Sequence, residues 1–182
     1  MGHRCGKTAA MKERTPRPPL DTAALTDAAL GYAARYATTR AELARYLRAK
    51  LRQRGWAGED APPVDALVDK AVALGAVDDR AFAEAKTGGL ARRGYGPGRV
   101  KAALSAKGVE RDLSAEMADG VDAAAAAEAY ARRRRLGRFG AGAGGPEQAR
   151  RDMGAMLRAG HGWVVAKAVL ARGSGDVEDA DA

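Results

Sequence analysis

The chain carries 44 alanines and no isoleucine, with only two Phe and two Trp, and this bias constrains its fold more than any single motif. Strands favour β-branched and aromatic side chains that pack on a pleated surface, whereas alanine is the best helix former. A GC-rich genome contributes to such a bias. Even so, the residues that remain starve an extended sheet and supply helices, so the expected fold is all-α.

Punctuation along the chain divides it into nine helices. Leu25–Tyr36 is followed by the capping-box pattern Thr39-x-x-Glu42, which opens a helix running to about Arg54 with Leu43, Leu47 and Leu51 on one stripe. Pro62 and Pro63 suit a helix start, and Val64, Leu67, Val68, Ala71 and Val72 follow helical spacing up to Gly75. Asp78 or Asp79 caps a fourth helix carrying Phe82 and Leu90 as far as Arg93. In it Gly88-Gly89 should loosen or break the helix, each glycine costing about 1 kcal/mol relative to alanine. Gly94-Tyr95-Gly96-Pro97-Gly98 reads as a turn, Arg99–Lys107 as a helix ended by Gly108, and Glu110–Asp119 as the sixth. Asp122 caps an Ala-rich seventh helix ending in Arg132–Arg135. The loop Gly137–Gly145 then leads to Pro146–Ala159 and Trp163–Ala171.

These helices group in threes. Leu43/Leu47, Val100/Leu104 and Met153/Leu157 take equivalent places in the three middle helices, and Leu47, Leu104 and Leu157 lie 57 and 53 residues apart. Each group closes on a glycine–apolar step: Gly55-Trp56, Gly108-Val109 and Gly162-Trp163, with the tryptophans as core anchors. One three-helix group buries little apolar surface alone, so stacking meets a physical need. The expected architecture is three tandem three-helix repeat units forming an elongated, curved molecule, with units at 20–76, 77–120 and 121–172. A basic, Pro-rich arm (1–19) and an acidic tail (173–182) are expected to be disordered.

The net charge of +8 suits an anionic partner. It is banded. Residues 84–111 carry seven Lys/Arg against two acids, as do 130–152, whereas 112–129 hold five acids and no base. Cys5 is the only cysteine, which excludes an intrachain disulfide and fits a reducing compartment. No apolar run approaches the roughly 20 residues needed to span a bilayer, and the start lacks the apolar core of a secretory signal, so a cytoplasmic location is expected.

Two stretches carry a family resemblance. Leu74-Gly75-Ala76-Val77-Asp78-Asp79-Arg80-Ala81-Phe82-Ala83 matches the entry to a second three-helix unit. Gly96, Arg99, Val100, Leu104, Lys107 and Gly108 match its middle helix, and Arg40, Glu42, Leu43 and Leu47 are similar to the first-unit pattern. Together they resemble the RecX family of recombinase regulators, over about residues 25–171. The resemblance implies tandem three-helix units and a structural role for Asp78, Asp79, Phe82, Gly96, Val100, Leu104 and Gly108. It also implies a protein that binds the RecA recombinase–DNA filament, lodges in its groove or caps its growing end, and restrains strand exchange. The long Gly137–Gly145 loop departs from the family pattern.

Catalytic constellations are missing. His3 and His161 are the only histidines and there are three serines, so neither a metal site nor a Ser–His–acid triad assembles readily. His161, between two glycines, reads as a turn residue. Gly2–Thr8 has three residues between its glycines where a phosphate loop needs four, and no strand precedes it. Gly94-x-Gly96-x-Gly98 likewise lacks the strand of a dinucleotide site. Paired acids such as Asp78-Asp79 and Asp65/Asp69 suit a helix N-terminus and a solvated face. No enzyme activity, cofactor or metal is expected.

Binding falls to the basic bands. Arg92, Arg93, Arg99, Lys101 and Lys107 flank one turn and the helix after it, where they could meet DNA phosphates, and Tyr95 could stack on a base or be buried. Arg45, Arg48 and Arg52 share one helix face. Arg132, Arg133, Arg134 and Arg135 circle more than one helical turn, so they cannot all serve one surface, and they also suit a helix C-terminus. The expected partners are the recombinase filament and the backbone of single- or double-stranded DNA, engaged by a monomer with no membrane involved. The competing reading is a free-standing nucleic-acid binder with helix-turn-helix-like units.

Overall fold

The structure, a computed structural model, describes residues 18–140 and 145–171. The predicted Pro-rich arm, apart from Pro18 and Pro19, and the acidic tail lie outside the described residues, as does part of the glycine loop. Among the described residues there are nine α-helices, one short 3-10 turn at Gly137–Phe139 and no strand; the nearest approach to one is a single bridge between Leu20 and Trp56.

The helix starts follow local chemistry. Asp21, Thr39, Asp78 and Asp122 accept hydrogen bonds from free backbone N–H groups at the starts of α1 (Thr22–Ala33), α2 (Arg40–Arg54), α4 (Asp79–Ala91) and α7 (Ala123–Arg134). Helices α5 (Pro97–Ala106) and α8 (Pro146–Arg158) instead begin on a proline, whose missing N–H is no loss in the first turn. The remaining helices are α3 (Val64–Ala73), α6 (Arg111–Asp119) and α9 (Trp163–Ala171). Helix α4 runs unbroken through Gly88-Gly89, against the expectation of a break. The Asp78 cap, burial of Leu90 and a two-pronged Arg80–Glu116 pair to α6 (2.7 and 2.9 Å) hold it.

Packing is local. Helices α1–α3 close around Leu25, Leu43, Leu47, Val68 and Ala71, and α4–α6 around Ala83, Leu90, Val100, Leu104 and Val109 with Phe82 half-buried. Helices α7–α9 close around Ala127, Ala131, Met156, Ala166 and Val169. In this third group the sequence register was off by one. Met156 is fully buried and Leu157 is 44% exposed. The backbone explains why: Val109 N–H donates to Leu104 O and His161 N–H to Met156 O, both at 3.2 Å, so Met156 stands where Leu104 does. The left-handed turn residue is therefore Gly160 (φ 87°), matching Gly108 (φ 76°), and not Gly162. Trp163 is 55% exposed and anchors no core. Trp56 does pack on the first core, its indole N–H held by Asp60 O at 2.6 Å.

The groups join by one repeated contact, the start of a middle helix against the end of the next middle helix. Thr39 Oγ1 donates to Lys107 O (2.6 Å), Arg40 N–H to Asp79 (2.8 Å), and Lys107 Nζ to Glu42 (2.6 Å). At the second junction Gly96 N–H donates to Ala159 O and Gly98 N–H to Gly160 O, each at 3.0 Å. A Cβ on Gly160 would sit 2.1 Å from Arg99 N, and one on Gly108 2.3 Å from Ala41 Cβ. Glycine at these two left-handed positions thus serves both the turn and the close approach. All hydrogen bonds between groups, among the described residues, link neighbours in the chain.

Candidate nucleic-acid interface

The turn after α4 is pressed onto α7. Gly94 (φ 77°) lies so near that a Cβ there would be 2.7 Å from Tyr130 N. From α7 the Arg133 guanidinium donates to Arg93 O (2.9 Å) and Arg92 O (3.1 Å), satisfying carbonyls that α4 leaves free at its C-terminus. The same approach brings the Tyr95 and Tyr130 rings to 5.9 Å, and His161 sits 5.7 Å beyond Tyr130.

Arginines cover these rings. Arg93 and Arg99 lie over Tyr95 (5.7 and 6.0 Å) and Arg134 over Tyr130 (5.9 Å). Arg92, Arg93 and Arg99, which flank the turn after α4, thus meet Arg133 and Arg134 of α7 beside two tyrosines. All five are exposed, and among the described residues none has a carboxylate within salt-bridge distance. Cation–π contact orders the heads of Arg93, Arg99 and Arg134 while leaving guanidinium N–H donors free for an anion. Tyr95 is half-buried against the second core and already faced by arginines.

His161 adds no charge here. Burial pushes its pKa below the ordinary value near 6.5, opposed by its hydrogen bond to Gly94 O (3.0 Å). The ring is neutral, with Nε2–H donating and Nδ1 buried without a partner. It is a buried junction residue, not only a turn residue.

The other predicted cations lie elsewhere. Arg48 is paired with Asp65 at 2.9 Å, and Arg45 reaches Ala106 O at 3.5 Å beside Glu42. Arg52 and Lys101 are exposed and unpaired among the described residues, while Lys107 is tied to Glu42. Arg132 shares Glu128 with Arg138 and lies 5.1 Å over Phe139; Arg135, at φ 55°, is the C-cap of α7. The four consecutive arginines diverge, as their spacing required. Among the family-motif residues, Asp78 caps α4 and Asp79 reaches back to the first unit.

Sequence reasoning missed Tyr130 here, and gave Asp79 and Lys107 a motif role and a DNA contact rather than their places at the junction. Tyr130 is the one aromatic of an Ala-rich helix and sits three residues before Arg133, a signal that was available. The junction roles of Asp79 and Lys107 left none, because their partners are 39 and 65 residues away. The arrangement can bind anions. Among the described residues no three His, Cys, Asp or Glu side chains gather to hold a metal, and no helix is long and apolar enough to cross a membrane.

Comparison with known proteins agrees with this architecture. Residues 78–117 match the family model "RecX, second three-helix domain". The crystal structure of RecX from Lactobacillus salivarius superposes with a TM-score of 0.67 at 18% identity, covering 82% of this chain and 94% of that one, which is a likeness of fold. The regulatory protein RecX of Myxococcus xanthus is 36% identical over 171 residues, 87% of this chain and 91% of the relative. At that identity over nearly the whole of both chains, with the second-unit motifs matched, the chain belongs to the RecX family of regulatory proteins.

Proposed function

We propose that this protein regulates the RecA recombinase by lying on the RecA–DNA filament in the cytoplasm, as a monomer and without a catalytic activity of its own. The arginine cluster at the junction of the second and third units meets DNA phosphates. The row of units spans neighbouring filament protomers and restrains ATP turnover and strand exchange. Unit boundaries at 20–76, 77–120 and 121–172 are part of this reading. The observation that carries it is that five exposed arginines meet at one junction with no carboxylate in salt-bridge distance among the described residues. Arginine forks suit phosphate oxygens, and counterion release drives such binding. A repeat array also suits an extended helical partner, because each unit can meet one of its repeats. Arg45, Arg48, Arg52, Lys101, Arg132 and Arg135 are secondary contributors.

The test is titration of the full chain into the cognate recombinase on single-stranded DNA, following ATP hydrolysis and strand exchange. Both rates are expected to fall with the wild type and to recover substantially with Arg93→Ala/Arg99→Ala, two exposed positions. Rates that ignore the protein would refute the proposal. Tight binding to naked DNA with no effect on the recombinase would favour the free-standing binder.

A further inference from the structure

Three of the chain's five tyrosines meet in the first unit, away from the junction cluster. Tyr32 stacks on Tyr46 at 4.1 Å with the rings 20° apart, and Tyr36 lies 5.2 Å from Tyr32. Lys50 covers Tyr46 at 5.5 Å, so that end of the ladder is occupied. The other end is open: Tyr36 is 58% exposed. The rings border a cleft of about 490 Å³ whose remaining walls include Asp27, Gly31 and Arg35.

Gly31 is the informative residue. It lies inside α1 with ordinary helical backbone, where glycine is about 1 kcal/mol worse than alanine. Packing does not require it, since a Cβ there would meet nothing within 4 Å. What glycine leaves is open space beside the tyrosines.

We propose that this cleft is a stacking site for a base of single-stranded nucleic acid. A base has flat apolar faces and polar edges. The cleft matches it with a free tyrosine face, polar walls and the Arg35 cation, with Lys50 beyond Tyr46 at the far end of the ladder to meet a flanking phosphate, while Asp27 repels phosphate from its own rim. A purely apolar side chain from a protein partner would meet charged walls instead. The site adds a nucleic-acid contact in the first unit and does not depend on the recombinase.

The experiment is fluorescence anisotropy of a short fluorescein-labelled oligothymidylate titrated with the full chain, without recombinase. Tyr36→Ala is expected to weaken binding roughly five- to hundredfold, the effect of losing one base–aromatic stack, with the salt dependence unchanged. Arg35→Ala or Lys50→Ala should instead lower the salt slope by about 0.7 per charge. Gly31→Leu, at a helical position where a Cβ meets nothing within 4 Å, should weaken binding as Tyr36→Ala does while thermal melting is maintained. An oligonucleotide carrying 5-iodouracil should cross-link to Tyr36. Wild-type affinity in both the Tyr36 and Gly31 variants, with cross-links mapping elsewhere, overturns the site. So does equal competition by thymidine monophosphate, which would make it a mononucleotide pocket. So does loss of a protein contact in the variants with oligonucleotide binding intact.

Discussion

His161 Nδ1 is buried at the second junction and finds no acceptor there. Protonation would place a charged N–H against Gly96, whose Cβ, if it had one, would come within 2.7 Å of that nitrogen. Tyr130 packs on the same ring and offers it no charge. The folded state thus prefers neutral imidazole, and burial sets its pKa below the ordinary value near 6.5. With the folded pKa depressed, the unfolded chain binds the proton first, so stability is full above about pH 6.5 and falls as pH drops through that value toward the folded pKa. Urea unfolding at pH 8 and pH 5.5 should show the loss, and His161→Gln should show a smaller difference between the two pH values. Equal pH dependence in both proteins would contradict this. The sequence showed a histidine between two glycines. That it is buried depended on Gly94, 67 residues earlier in the chain.

Individual helices were the most legible level. Capping by Thr39, Asp78 and Asp122 and the proline start of α8 depend on neighbours within a turn, so local residues suffice, whereas α1 begins at Thr22 on an Asp21 cap and α5 at Pro97, both ahead of the starts expected at Leu25 and Arg99. The failures are instructive. In α8 Met153, Met156 and Leu157 all qualify for an apolar stripe. Only the turn at Gly160 selects Met156, and Asp152 then falls on the buried side, where Gly137 N–H and Gln148 each donate to it at 2.7 Å. In α4 the penalty of Gly88-Gly89 was real but outweighed by tertiary contacts. The consequence is measurable. Gly89 has open space where a Cβ would go, so Gly89→Ala should raise stability by about 1 kcal/mol in urea denaturation, with helix content retained. A decrease would mean that α4 needs flexibility at that point.

At the scale of the molecule, the three cores differ in side-chain size. The first buries Leu20, Leu25, Leu43, Leu47 and Leu67, the second Leu90 and Leu104, and the third no leucine, relying on alanines, Met156 and Val169. Each buried methylene contributes about 0.8 kcal/mol, so the third group should open most easily. Native-state hydrogen exchange should accordingly find the amides of α7–α9 less protected than those of α2 and α3; uniform protection would show that the junctions fuse the row into one cooperative unit. By itself the sequence determined the all-α class, the helix triplets and the basic bands, because propensity, capping and charge are local or additive properties. Which arginines share a surface was decided only by the tertiary structure. A guanidinium's surroundings depend on how Gly94 packs on α7 and where Glu42, Asp65 and Glu128 lie, and those distances come from the stacking of whole units rather than from spacing along the chain.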